Sequence, residues 1–344
     1  MKRTPPKWRA RLARGLMLAV LAVVVVLLVR YARSTDWAEV GQALRGYGPA
    51  RIAACLGLVA LSYLLYCGYE LLSRWQVGLA LPPLRTAAIG LVSYAVSLNL
   101  GALVGGGGLR LRLYGREGVA AGQVVRLALF AVATNWLGYC VLAGAALAAG
   151  VVPLPARAGS PVLWRVLGAV MVALALAYLL VCARWSGVRL QVRGRTFEVP
   201  RLRMAALQLL LSSLNWAILG ALMFLLLPDG VGYPRVLAVV LVAALIGIIL
   251  HTPAGLGAWE SAFMFTLGRE LGQSAVVAAL LAYRGLYYLV PLGVALLVHA
   301  LLEAARPRSQ APRKAPPRAS AEHSVARRTG APGGETRTDP DARR

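Results

Sequence analysis

RWSGVRLQVRGRTFEVPRLR, residues 184–203, lies between two long apolar runs and sets Arg184, Arg189, Arg193, Arg195, Arg201 and Arg203 against the single acid Glu198. The side of a membrane this stretch occupies decides the fold. Apolar runs fall at residues 15–31, 50–72, 87–104, 124–152, 162–183, 204–227, 236–250 and 275–302, most of them near the roughly 20 residues needed to cross about 30 Å of hydrocarbon. If all eight cross and the basic N-terminus is inside, residues 184–203 fall outside, as do Arg110, Arg112 and Arg116. That opposes the cytoplasmic bias of Lys and Arg at both basic loops. If instead 87–104 and 236–250 enter, break and return, both loops and both termini lie in the cytoplasm. Outside remain Arg33, Arg45, Arg157, Arg235 and Arg269. The charges therefore favour an all-α polytopic membrane protein with six spans and two oppositely oriented re-entrant helical hairpins; eight plain spans are the alternative.

Composition supports the membrane assignment: of 344 residues, 59% are hydrophobic and 15% charged. The 37 Lys and Arg against 13 Asp and Glu gather at the chain ends and between apolar runs, which orients a protein in a bilayer and does not suit nucleic acid. Four cysteines and three histidines without ligand spacing give no expectation of a disulfide, a metal or a cofactor. The run at 15–31, preceded by Lys2, Arg3, Lys7, Arg9, Arg11 and Arg14 and closed by Arg30 and Arg33, reads as a signal anchor in the plasma (inner) membrane. The chain divides into a basic cytoplasmic N-terminus (1–14), a transmembrane domain (15–302) and a basic tail (303–344) whose Pro, Ala, Arg and Gly predict disorder.

Both suspect runs precede helix-breaking sequence, Gly105-Gly106-Gly107-Gly108 and Pro253-Ala254-Gly255-Leu256-Gly257. Irregular backbone at membrane depth survives only where protein or a wet cavity satisfies it. Span, broken hairpin and span recur over about 50–152 and 204–302, the order of an inverted repeat. Between the repeats, 188–192 and 197–199 alternate apolar and polar about Arg193-Gly194-Arg195, predicting a small cytoplasmic β-hairpin.

The chain has no metalloprotease, nucleotide-binding or nucleophile-elbow signature, so it reads as no enzyme. Polar residues in apolar surroundings remain as candidates for binding a substrate. The first set is Asn99, Gly105, Gly106, Gly107, Gly108, Arg110 and Arg112, where glycine backbone and a helix start would suit an anion. The plainer reading makes the arginines interface anchors and the glycines packing residues. The second is Pro253, Gly255, Gly257 and Glu260, with Glu260 in the first turn of a half-helix where its charge is favoured, or merely capping that helix. The third is Arg284, Tyr287, Tyr288 and Pro291, spaced to share one helical face. Arg284 must face the bundle interior with Glu260 as partner, either as a clasp or as part of a gate. Glu70, Asn135 and Asn215 read as interhelical hydrogen-bonding groups.

Gly107-Gly108-Leu109-Arg110-Leu111-Arg112-Leu113-Tyr114, Asn135-Trp136-Leu137-Gly138, Thr252-Pro253-Ala254-Gly255-Leu256-Gly257-Ala258-Trp259-Glu260 and Ala282-Tyr283-Arg284-Gly285-Leu286-Tyr287-Tyr288-Leu289-Val290-Pro291 resemble the flippase-like transmembrane domain of lysylphosphatidylglycerol synthases. The likeness is closest to stand-alone inner-membrane members without an aminoacyl-transferase domain. It departs from many members at Leu100-Gly101-Ala102, where they carry a Pro before the Gly-rich break. The resemblance implies a flippase-like transporter that binds or moves an anionic phospholipid or lipid-linked headgroup. A non-transporting partner of a lipid-synthesising enzyme is the alternative reading. An intramembrane transferase is disfavoured by the missing acid/base pair.

Overall fold

A computed structural model of the protein describes residues 37–101, 107–152, 159–192, 195–250 and 255–304. The anchor run at 15–31 and the tail expected from 303 lie outside these residues, apart from the tail's first two positions. In chain order the described elements are α1 (Trp37–Arg45), α2 (Pro49–Val77), α3 (Pro83–Leu100), α4 (Arg110–Arg116), α5 (Ala121–Ala148) and α6 (Pro161–Arg184). There follow β1 (Arg189–Val192), β2 (Arg195–Glu198), α7 (Leu202–Leu226), α8 (Tyr233–Ile249), α9 (Ala258–Leu271), α10 (Gln273–Tyr283), a π-helical segment (Arg284–Leu289) and α11 (Val290–Ala304). The protein is thus mostly helical, and among the described residues five helices are long and apolar enough to cross a membrane: α2, α5, α6, α7 and the continuous helix Gln273–Ala304. They coincide with five of the six runs read as spans.

Local sequence sets the helix limits. Proline opens α2, α3, α6 and α8, where a missing N–H is no loss and φ is already helical. Gly78 closes α2 at φ 67°, with its own N–H on Trp75 O and that of Leu79 on Arg74 O, the two carbonyl-satisfying bonds of a glycine-terminated helix. β1 and β2 pair antiparallel, Val192 opposite Arg195 and Arg189 opposite Glu198. Their two-residue connection, 193–194, lies outside the described residues.

Contacts define two ends of the helix bundle. At one, Gln76 Nε2 donates to Glu198 O at 3.1 Å and Arg116 pairs with Glu303, which brings the ends of α2, α4, the β ladder and α11 to one level. At the other, Tyr47 Oη donates to Leu226 O at 2.7 Å, joining the start of α2 to the end of α7. The two runs suspected of breaking are α3 and α8, of 18 and 17 residues, each followed by an interruption and a shorter helix. Each pair is tied where it opens. Arg85 in the first turn of α3 meets Glu117 after α4 at 2.7 Å, and Arg235 in the first turn of α8 meets Glu270 near the end of α9 at 2.7 Å.

The core is tight where glycine lets helices touch. A Cβ on Gly138 of α5 would lie 2.3 Å from the Ser212 backbone of α7. At that crossing Asn135 O accepts from Ser212 Oγ and Trp216 Nε1, at 2.8 and 3.1 Å. The Asn135-Trp136-Leu137-Gly138 motif is thereby explained as a helix-crossing device, as small residues at membrane interfaces usually are.

Candidate functional site

α2 carries a stripe of buried polar side chains, Ser62, Tyr63, Tyr66, Tyr69, Glu70 and Ser73, recurring at three- and four-residue intervals on one helical face. Polar groups placed so deep in an apolar helix are costly unless partnered. Most of their partners lie on the first broken hairpin and on the last long helix, so the stripe joins the two repeats expected from the sequence.

The first junction is Glu70. Its Oε2 accepts from Arg110 at 3.0 Å and its Oε1 from Tyr114 Oη at 2.8 Å, while the Arg110 guanidinium lies 5.0 Å over the Tyr94 ring of α3. Glu70 is 0% and Arg110 3% exposed. Gly90 of α3 makes the room, since a Cβ there would stand 2.9 Å from Glu70 Cβ. Arg110 is therefore not offered to an outside anion in this conformation: its charge is taken up by Glu70, which is an ion-pair partner and not a simple hydrogen-bonding group. Arg112 is exposed, with no ion pair among the described residues. Gly107 and Gly108 begin the helical turn that leads into α4. Gly105, Gly106 and Pro253 lie outside the described residues.

The second junction is Glu260. Arg284 reaches its Oε1 with Nε at 2.9 Å and Nη2 at 2.6 Å, and Gly257 N–H donates to its Oε2 at 2.8 Å. Glu260 thus caps its own helix and clasps the next one, so the capping and pairing roles read from the sequence are both filled. Gly255 and Gly257 sit at φ 66° and 81°, where only glycine is at ease. The close approach of Trp259 to Gly255 leaves the indole stacked on Tyr283 at 4.8 Å. The side chains of Arg284 and Glu260 are 20% and 14% exposed, so this clasp is partly open where the first is sealed.

The third candidate set departs from the single helical face expected. Arg284–Leu289 is π-helical, a wider turn that leaves backbone groups in need of other partners. Pro291 has no N–H for the carbonyl four residues back, Tyr287 O, and that carbonyl accepts from Tyr63 Oη at 3.2 Å. Tyr288 O accepts from Asn99 Nδ2 at 3.2 Å. Arg284 lies 5.8 Å over the Tyr288 ring, whereas Tyr287 Oη turns to Ser62 Oγ at 3.0 Å and Ser62 Oγ donates on to Asn215 Oδ1 at 2.6 Å. The structure so brings Asn99, Glu260, Arg284, Tyr287 and Tyr288 into one neighbourhood and sets Arg110 apart on the far side of the Tyr66–Tyr94 stack, whose centroids are 4.5 Å apart.

The sequence reads Glu70 only as an interhelical hydrogen-bonding group, although an acid in a long apolar run is itself a signal. Tyr94 and Tyr114 carry no such signal. Among the described residues no group of three or more His, Cys, Asp and Glu side chains could hold a metal ion.

No family model matches the chain. It is 38% identical over 312 residues to Inner membrane protein YbhN of Escherichia coli (strain K12), covering 88% of this chain and 96% of that protein. It is 30% identical over 265 residues to Uncharacterized protein slr0712 of Synechocystis sp., covering 76% of this chain and 82% of that protein. With five apolar helices of spanning length among its described residues and a relative matched almost end to end, the chain is a helical membrane protein belonging to the family of inner membrane protein YbhN.

Proposed function

We propose that the protein is a flippase-like handler of an anionic phospholipid or lipid-linked headgroup in the inner membrane, working through two inverted repeats. The observation that carries this reading is the pair of interrupted helices, each closed at its open end by an Arg–Glu ion pair, Arg85–Glu117 and Arg235–Glu270. A segment whose beginning and end are tied together returns to the level it left. The first hairpin opens at the bundle end that holds the β ladder and the end of α11, the second at the opposite end. Arg112, Arg184, Arg201 and Arg203 are exposed at the first end, and the bias of basic residues supports a cytoplasmic placing of that end. Broken helices meeting inside an inverted repeat are where transporters of this architecture hold substrates. The motif resemblance to the flippase-like domain of lysylphosphatidylglycerol synthases supports a lipid as that substrate.

In this reading the headgroup meets Arg284 and the glycine-rich breaks while acyl chains stay in the bilayer. The partly exposed Arg284–Glu260 clasp is the contact a phosphate would compete for. The non-transporting reading draws on one specific observation: both deep arginines, Arg110 and Arg284, are already paired with carboxylates. The test is movement of a fluorescent anionic lipid between leaflets of proteoliposomes holding the purified protein. Dithionite-accessible signal should rise with protein content. No excess over protein-free vesicles, with correctly folded protein inserted, overturns transport and leaves the partner role.

A further inference from the structure

A cavity of about 920 Å³ opens between α2, α5, α6 and α7 at the bundle end that carries the β ladder. The broken hairpins do not line it, and none of the three candidate binding sets read from the sequence does. Its walls are mostly apolar, formed by Leu129, Phe130, Trp136, Leu137 and Val181. Leu129 and Val181 are 45% and 39% exposed on helices long and apolar enough to span, and α6 is the least buried of these. The mouth therefore faces sideways, toward hydrocarbon, where a soluble metabolite would have no approach.

The floor is polar. Gln208, 1% exposed, accepts at Oε1 from Tyr178 Oη at 2.7 Å and donates through Nε2 to Thr134 Oγ1 at 2.6 Å. One amide N–H of Gln208 is left without a partner by this arrangement. Arg126 lines the same cavity, one helical turn before Leu129 and Phe130. It makes no ion pair or hydrogen bond with any of the described residues. An unpaired guanidinium beside apolar walls suits a ligand that is anionic at one end and greasy at the other, because its planar fork matches phosphate oxygens. The volume is at the upper end of what small-ligand sites enclose, enough for a glycerol backbone and the upper part of its chains, with the remainder lying in the membrane.

We infer that this cavity is a lateral binding site for one anionic glycerophospholipid drawn from the leaflet at the β-ladder end. Arg126 takes the phosphate, Gln208 and Tyr178 stand at the ester level, and the chains leave between Leu129 and Val181. The inference rests on the lipid-handling reading for the class of ligand and not on transport; a lipid could sit here in a protein that moves nothing.

The test uses the full chain in phosphatidylcholine nanodiscs containing a little phosphatidylglycerol with a photoactivatable group high on one chain. Crosslinks mapped by mass spectrometry should concentrate on α5 and α6 around Leu129 and Val181. Arg126→Gln should lower that yield about tenfold, Arg126→Lys should retain most of it, and Ala133→Phe, which fills the cavity and keeps the arginine, should abolish it. Arg165→Gln, an exposed cation at the other end of α6, should change nothing. Crosslinks concentrated instead around Gly107 and Gly257 would overturn the cavity while sparing the lipid reading. Even labelling of every lipid-facing helix, insensitive to Arg126, would mean annular lipid only and overturn the site.

Discussion

The two hairpins solve one problem with opposite placements of charge. In the first, the cation Arg110 is on the return helix and the acid Glu70 on the preceding span; in the second, the acid Glu260 is on the return helix and the cation Arg284 on the following span. The surroundings differ more than the chemistry. Glu70 and Arg110 are sealed by Tyr94, Tyr114 and the absent side chain of Gly90, whereas Glu260 and Arg284 keep part of their surface uncovered by protein. A sealed pair in a low-dielectric interior is held by the high cost of separating it. A pair left partly uncovered can exchange its partner for another anion without first being dug out of the packing. The first clasp therefore reads as an anchor that fixes α4 to α2, and the second as the one able to open.

The strongest way to break this contrast is to remove one partner of the sealed pair. Glu70→Gln or Arg110→Gln should each cost about 3–5 kcal/mol of stability, because a buried charge is left without compensation. Unfolding by SDS titration in mixed micelles would read it, and the double variant should lose less than the two singles together. If either single change costs under about 1 kcal/mol, the first clasp is no anchor.

A smaller loss is expected at the second clasp. Glu260→Gln or Arg284→Gln should cost about 1.5–3 kcal/mol, the range of a hydrogen bond to a charged group, while lipid movement in proteoliposomes falls by more than the folded fraction does. Equal stability costs at the two clasps would erase the distinction drawn from their exposure. Unchanged lipid movement would leave Arg284 a structural residue.

The smallest effect sharpens the comparison from the tyrosine side. Tyr63→Phe removes the donor to the carbonyl that Pro291 leaves free, and should cost about 0.6 kcal/mol, the average for interhelical hydrogen bonds in membranes. The same titration would measure it. A loss above about 2 kcal/mol would mean that the hydroxyl supports the second clasp as well as the one carbonyl.

Much of this architecture was legible in the sequence because it rests on composition and local chemistry. The long apolar helices, the break after residue 100 and the β ladder follow from hydropathy, glycine and alternation. Glu260 and Arg284 could be paired because each stands alone in apolar sequence. Glu70 and Arg110 could not, because Arg110 sits among Arg112, Arg116 and four glycines and so resembles an interface anchor. What commits it to Glu70 is supplied by Tyr94 and Gly90 on another helix. The cavity at Arg126 was equally hidden, since a cation one turn inside an apolar run gives no hint that three other helices leave a gap beside it.

The π-helical segment has a consequence for how the last long helix can be understood. One residue more per turn shifts the phase of everything after it by about 100°, the angular step of an α-helix. Residues 273–283 and 290–304 thus form two helical wheels joined out of step, and a stripe drawn along one does not continue along the other. Tyr63 and Asn99 bond the carbonyls of the widened turn, so the side that the C-terminal part turns to lipid depends on other helices as well as on its own sequence.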